Sequence, residues 1–158
     1  MPVDPSTFRS VLGRFASGVT VATMRTPDGL DHGMTVSAFC SLSLQPPLVL
    51  MCIAQDAAMH GVLPDVSHFA VNVLAAGQEA VARRFAEHLG DRFDGIGYER
   101  GATGAAVLEG VLAVIECRVA GRHPGGDHTI VIGEVIAAEA RPDRPLLYYR
   151  GGYAQLER

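Results

Sequence analysis

The chain has 158 residues, 48% of them hydrophobic and 19% charged, with a net charge of −4 at pH 7. That length and hydrophobicity fit one folded domain over residues 1–158 and exclude disorder of the whole chain. Its 13 cations are all arginine and form no basic block, so no nucleic-acid partner is expected.

The first element reads as a helix from Ser6 to Ser17, with Phe8, Val11, Leu12 and Phe15 on one face, start chemistry at Asp4-Pro5-Ser6 and a stop at Gly18. Val19 to Met24 is rich in β-branched residues and reads as a strand. The turn Thr26-Pro27-Asp28-Gly29 then returns the chain through a second strand, His32 to Ser37. Gln45-Pro46-Pro47 breaks the chain. Leu48 to Ile53, apolar on both faces, reads as a central strand. A short helix is expected over Ala57–Leu63, a strand over His68–Leu74, and a helix over Gln78–Leu89 in which Val81, Phe85 and Leu89 share a face. Asp91 to Gly104 reads as loop. Val111–Ala120 and Thr129–Ala140 read as two long strands joined by a turn at Gly121–Asp127, and Leu146–Tyr149 as a short last strand. Strands joined by hairpins rather than by helical crossovers favour a mainly β fold with flanking helices, an antiparallel barrel.

Several motifs carry little. Gly95-Ile96-Gly97-Tyr98-Glu99-Arg100-Gly101 has one residue too many for a dinucleotide fingerprint and no strand before it. His123, Asp127 and His128 lie close in sequence, but a metal site would need a further ligand, so no metal is expected. Cys40, Cys52 and Cys117 sit in apolar stretches and read as free thiols in a reducing cytoplasm. No membrane partner is expected: the longest unbroken apolar run, Leu48 to Ala54, is far short of the ~20 residues of a membrane helix, and Met1–Asp4 lacks the regions of a secretion signal. Thr35, Ser37, Ser41 and Ser43 cluster where a strand runs into a turn. They could donate to an anion, but composition alone favours reading them as surface strand residues with turn-forming hydroxyls.

Ordered blocks along almost the whole chain carry a resemblance. They include Phe8-Arg9-Ser10-Val11-Leu12-Gly13-Arg14-Phe15-Ala16-Ser17-Gly18-Val19, Gly33-Met34-Thr35-Val36-Ser37-Ala38-Phe39, Ser41-Leu42-Ser43-Leu44-Gln45-Pro46-Pro47, Arg83-Arg84-Phe85-Ala86, Gly126-Asp127-His128-Thr129 and Tyr148-Tyr149-Arg150-Gly151-Gly152-Tyr153. In these the chain resembles the flavin reductase-like family, small NAD(P)H:flavin oxidoreductases that serve two-component flavin monooxygenases. The resemblance implies an antiparallel split β-barrel of the FMN-binding type. It also implies FMN or FAD as the flavin, NADH or NADPH as the hydride donor, a monooxygenase partner and a homodimer. Carried over by position, Thr35, Val36 and Ser37 would contact the flavin, and Ser41 would serve the phosphate region. Cys52, Ile53, Ala54, Gln55 and Met59 would pass along the ring and ribityl chain, and Arg83 and Phe85 would close the phosphate and ring side. His128 would act at the nicotinamide, with Tyr149 and Arg150 near the dinucleotide. Many relatives carry hydroxyl residues where this chain has Ala57 and Met59, which leaves the tightness of flavin binding and the choice of FMN or FAD open; neutral hydroxyls and few cations suit a loosely held flavin that is released to a partner.

The residue types suit such a reaction. Two flat rings must stack at about 3–3.5 Å, the cofactors carry the redox chemistry, and small residues let backbone N–H groups reach the ring edges. Two alternatives share the barrel: a tightly held flavin acting on another organic substrate, and a non-catalytic flavin-binding module.

Overall fold

The computed structural model describes residues 1–87 and 90–157. In chain order it runs α1 (Pro5–Leu12), β1 (Ser17–Gly18), β2 (Thr20–Arg25), β3 (Asp31–Val36), β4 (Phe39–Ser43) and β5 (Leu48–Ala54). A 3-10 helix (Ala58–Asp65), β6 (His68–Val73), α2 (Glu79–Ala86), β7 (Tyr98–Arg100) and β8 (Ala106–Leu108) follow. β9 (Ala113–Gly125), β10 (His128–Ala140), β11 (Leu146–Tyr149) and β12 (Gly152–Gln155) complete the chain. The fold is mainly β, and every strand pairing is antiparallel.

The main sheet has seven strands in the order β3-β2-β6-β9-β10-β5-β4, and β1-β11-β12 and β7-β8 form two small ones. The alternation of β5 shows how sequence sets the layers: Val49, Met51 and Ile53 are buried, whereas Leu48, Leu50, Cys52 and Ala54 are half-buried. The first face joins Met24, Val36, Phe69, Val71, Cys117 and Val131 in a core closed by Met59 and Leu63 of the 3-10 helix. Each fully buried side chain of this size contributes about 1.5–3 kcal/mol. A second core gathers Val19, Val21, Leu74, Ala82, Phe85, Leu108, Val111 and Leu146, where α2 meets β2 and the small strands. Buried Asn72 pins the two regions together. Its Nδ2 donates to the Val21 carbonyl at 3.0 Å, and its Oδ1 accepts from the Leu108 N–H at 2.9 Å. At Gly133 a Cβ would stand 2.5 Å from the Phe69 ring and 2.7 Å from the Cys117 Cβ, so only glycine lets β10 cross the core there.

The structure departs from expectation in several places. α1 ends at Leu12, not Ser17, because the Gly13 N–H returns to the Arg9 carbonyl while the Gly13 carbonyl accepts the Arg150 N–H at 2.9 Å. Its Phe8, Val11 and Leu12, and Phe15 beyond it, are exposed rather than packed. The hydroxyl-rich run Phe39–Ser43 is an edge strand, and the supposed loop before Gly104 holds β7, which pairs with β8. The turn expected over Gly121–Asp127 shrinks to its last residues, since β9 reaches Gly125. β5 lies second from an edge rather than at the centre. The predicted second helix ends at Ala86, and the part of that expectation covering His88 and Leu89 lies outside the described residues.

Candidate active site

The tip of the β9–β10 hairpin, which presents His128, is fastened from two sides. Register places His128 opposite Ala54 and Ile130 opposite Cys52, so β10 carries the histidine to the end of β5. Beyond β5, the Gln55 N–H donates to the Asp127 carbonyl at 2.8 Å, and its side-chain amide donates to the Gly126 carbonyl at 3.3 Å. From the 3-10 helix, His60 Nε2 shares a 2.7 Å hydrogen bond with the Thr129 hydroxyl. His128 Nδ1 bonds Asp127 Oδ1 at 2.7 Å, an interaction that holds the Asp127 carboxyl below its ordinary value. The imidazole is thereby oriented with Nε2 left available, and its side chain remains 43% exposed.

Next to the tip, β5 and β10 present a half-buried face of Leu50, Cys52, Ala54, Ile130 and Ile132. The bend between β3 and β4 adjoins it, for the Cys52 N–H donates to the Ala38 carbonyl at 2.9 Å. Ser37 on this bend and Ser41 on β4 are exposed, and among the described residues neither hydroxyl has a partner. The structure therefore brings Ser37, Cys52, Ala54, Gln55 and His128 into one neighbourhood. Its apolar face, bordered by backbone groups and two free hydroxyls, suits a flat ring system with polar edges.

Other residues named from the sequence lie elsewhere or face inward. Thr35 donates its hydroxyl to the Ala82 carbonyl at 2.6 Å, so it ties β3 to α2. Val36, Ile53, Met59 and Phe85 are buried in the two cores and leave only backbone to a ligand. Phe85 packs edge-on to Phe93 at 5.1 Å and closes over Gly33, where a Cβ would stand 2.7 Å from its ring. Arg83 pairs with Glu79 at 2.8 Å and lies 5.0 Å over the Tyr153 ring, which is the surface-pair geometry its spacing allows. Tyr149 is exposed, and Arg150 is bonded to the end of α1, away from the contacts that hold the hairpin tip.

Sequence reasoning missed two features. One is His60, whose tie to Thr129 depends on a tertiary approach of 69 residues. The other is a cleft of about 280 Å³ lined by Asp31, His32, Gly33, Ala58, Met59 and Arg92 among others. Arg92 donates to the Gly33 carbonyl at 2.8 Å there, and burial draws its guanidinium below its ordinary value. In the sequence only His32, which directly precedes the block beginning at Gly33, points toward it.

Residues 12–157 match the family model described as flavin reductase like domain. The flavin reductase (NADH) of Kitasatospora aureofaciens is 45% identical over 157 residues, covering 97% of this chain and 82% of the relative. Reductase subunit HsaB of a flavin-dependent monooxygenase from Mycobacterium tuberculosis is 42% identical over 158 residues, covering 98% of this chain and 84% of the relative. A solved NADH:FAD oxidoreductase of Streptomyces globisporus, in complex with NAD and FAD fragments, superposes with a TM-score of 0.92 at 42% identity, over 99% of this chain and 96% of that one.

Proposed function

The chain belongs to the flavin reductase like domain family, and from that premise we propose that it is an NAD(P)H:flavin oxidoreductase supplying reduced FMN or FAD to a partner monooxygenase. The observation that carries this reading is the half-buried face of β5 and β10 lying between the hairpin tip with His128 and the free hydroxyls of Ser37 and Ser41. The bound flavin supplies the redox chemistry, accepting hydride from the nicotinamide. The chain binds, orients and shields.

In this reading Cys52, Ala54 and Gln55 offer backbone edges along the ring, and Ser37 and Ser41 donate to its polar groups. His128, turned by Asp127, orients the nicotinamide. Tyr149 and Arg150 serve the dinucleotide from the α1 end, and Arg83 would leave Glu79 to meet a phosphate. Thr35, Val36, Ile53, Met59 and Phe85 shape the site from beneath through backbone and packing. With Ala57 and Met59 in place of hydroxyl residues, the flavin is bound loosely and leaves as a product.

The main sheet forms one wall of a split β-barrel, residues 1–158 make a single domain, and a homodimer covers the exposed apolar residues of α1. Three free cysteines suit the reducing cytoplasm.

The test follows NADH and NADPH absorbance with FMN, FAD or riboflavin added in turn. Rapid nicotinamide oxidation that depends on added flavin is expected. Flavin binding without nicotinamide consumption would refute the catalytic reading, and stoichiometric yellow colour surviving dialysis would refute the loosely held flavin.

A further inference from the structure

The two faces of β10 have different neighbours. Strand alternation sends His128 and Ile130 to the half-buried face, opposite Ala54 and Cys52. It sends Thr129 and Val131 to the other face, opposite Ile53 and Met51, which are buried. The 3-10 helix covers that second face, for its Met59 and Leu63 pack into the first core with Met51, Ile53 and Val131.

The helix is bound to the hairpin near both of its ends. At the far end, Arg122 of β9 donates to the Leu63 carbonyl at 2.9 Å and to the Val66 carbonyl at 2.6 Å. Near the start, His60 Nε2 and the Thr129 hydroxyl share the 2.7 Å bond. Arg122 stands opposite Val131 and Pro124 opposite Thr129, so both fastenings fall on the outer half of the hairpin. The two differ in what they accomplish. Carbonyls at a helix end lack partners within the helix, and Arg122 satisfies them. His60 satisfies no helix end. It commits a half-buried imidazole to one hydroxyl, and that hydroxyl belongs to the residue next to His128. β6 pairs with β9 only as far as Arg118, so the outer hairpin takes its direction from β5, from Gln55 and from this helix.

We propose that His60 is a positioning residue for the nicotinamide reaction: through the Thr129 hydroxyl it fixes the angle at which β10 presents His128. It works from the face opposite His128, whereas Gln55 holds the two residues before it. The proposal rests on the function given above. Hydride transfer is sensitive to placement, a displacement of about 1 Å costing about 100-fold. Losing one of several ties should cost less.

The experiment compares the full-length protein with His60→Leu, His60→Gln, Thr129→Val, Thr129→Ser, His128→Ala and the double variant His60→Leu/His128→Ala. With NADH as donor, kcat is expected to fall about tenfold in His60→Leu and in Thr129→Val, while the KM for flavin stays within twofold. His60→Gln and Thr129→Ser, which keep a hydrogen-bonding group on each side, should recover most of the rate. In the His128→Ala background, His60→Leu should lower kcat by less than twofold more, because the residue it positions is gone. Amide hydrogen exchange read by mass spectrometry supplies a measure without turnover: peptides covering residues 126–130 should exchange faster in His60→Leu than in wild type or His60→Gln, and peptides covering β6 should not change.

An unchanged kcat in both His60→Leu and Thr129→Val overturns the proposal. So does an equal loss in His60→Gln and His60→Leu, or a full tenfold loss in the His128→Ala background. Unchanged exchange at residues 126–130 also overturns it, by showing that the tie holds nothing in place. A wild type that oxidises no nicotinamide, or a His128→Ala variant with the wild-type rate, refutes the function on which the proposal rests, and the exchange data then decide the tie by themselves.

Discussion

Phe85 separates two roles that are easily confused, lining a ligand pocket and supporting one. Its side chain is fully buried, joins Ala82, Leu74 and Val21 in the second core, and meets the Phe93 ring at 5.1 Å. Phe85→Ala removes a whole buried ring and should cost about 4 kcal/mol, within the range of about 3–5 kcal/mol found for such truncations. At about 2–4 °C per kcal/mol for a chain of this size, the midpoint of thermal unfolding should fall by about 8–16 °C. Phe85→Leu keeps most of the volume, should cost under about 1.5 kcal/mol, and should move the midpoint by only a few degrees. Reversible unfolding followed by circular dichroism gives both shifts, and steady-state kinetics well below either midpoint give the flavin KM. Because Phe85 is buried in the second core and closes over Gly33 of β3, not under the β5–β10 face, Phe85→Leu should leave that KM within about twofold of wild type, well inside the tenfold that 1.4 kcal/mol of binding energy represents. A tenfold rise with an unchanged midpoint would refute this reasoning and make Phe85 a direct contact.

His128→Ala should lower nicotinamide-dependent turnover more than flavin affinity, because the imidazole is oriented by Asp127 at the hairpin tip; unchanged kinetics would remove it from the mechanism. Thiol alkylation of the native protein at pH 8, read by mass spectrometry, should label exposed Cys40 first and spare Cys117, whose pKa burial pushes up to about 12. Since that value lies far above the assay pH, Cys117 stays a protonated thiol until the core opens, and its labelling alongside Cys40 would contradict the burial. If the exposed face of Phe8, Val11, Leu12 and Phe15 is a dimer contact, Phe8→Glu/Leu12→Glu should halve the mass measured by sedimentation, and an unchanged dimer would place the interface elsewhere.

Legibility in the sequence followed local physics. β2, β5 and β6 were readable because β-branched and apolar residues dominate them, and the turn at Pro27–Gly29 because it carries its own chemistry; Gly29 stands at φ +88°. β4 was not, since Cys40, Ser41 and Ser43 resemble turn residues and become a strand only by pairing with β5. The far half of β9 was hidden by Pro124. That residue lies where β9 has β10 as its sole neighbour, having left β6 at Arg118, so a proline is tolerated there. The end of α1 was set by Arg150, 137 positions beyond Gly13, a partner no local window contains. Of the candidate site, block resemblance found the segments, but which side chains face outward depended on packing. Thr35, Met59 and Phe85 look as available in the sequence as Ser37 does.

The fastening of the hairpin tip by Gln55 also divides labour within the molecule. Residues Gln55 to Ala57 bridge the end of β5 and the 3-10 helix; Ala57 packs against the first core, whereas exposed Gln55 holds the carbonyls of Gly126 and Asp127 beside His128. Replacing Gln55 would loosen the histidine relative to the β5 surface while the buried residues of both cores stay in place. The reach of His128 is thus set by a surface contact and not by the packing of the interior.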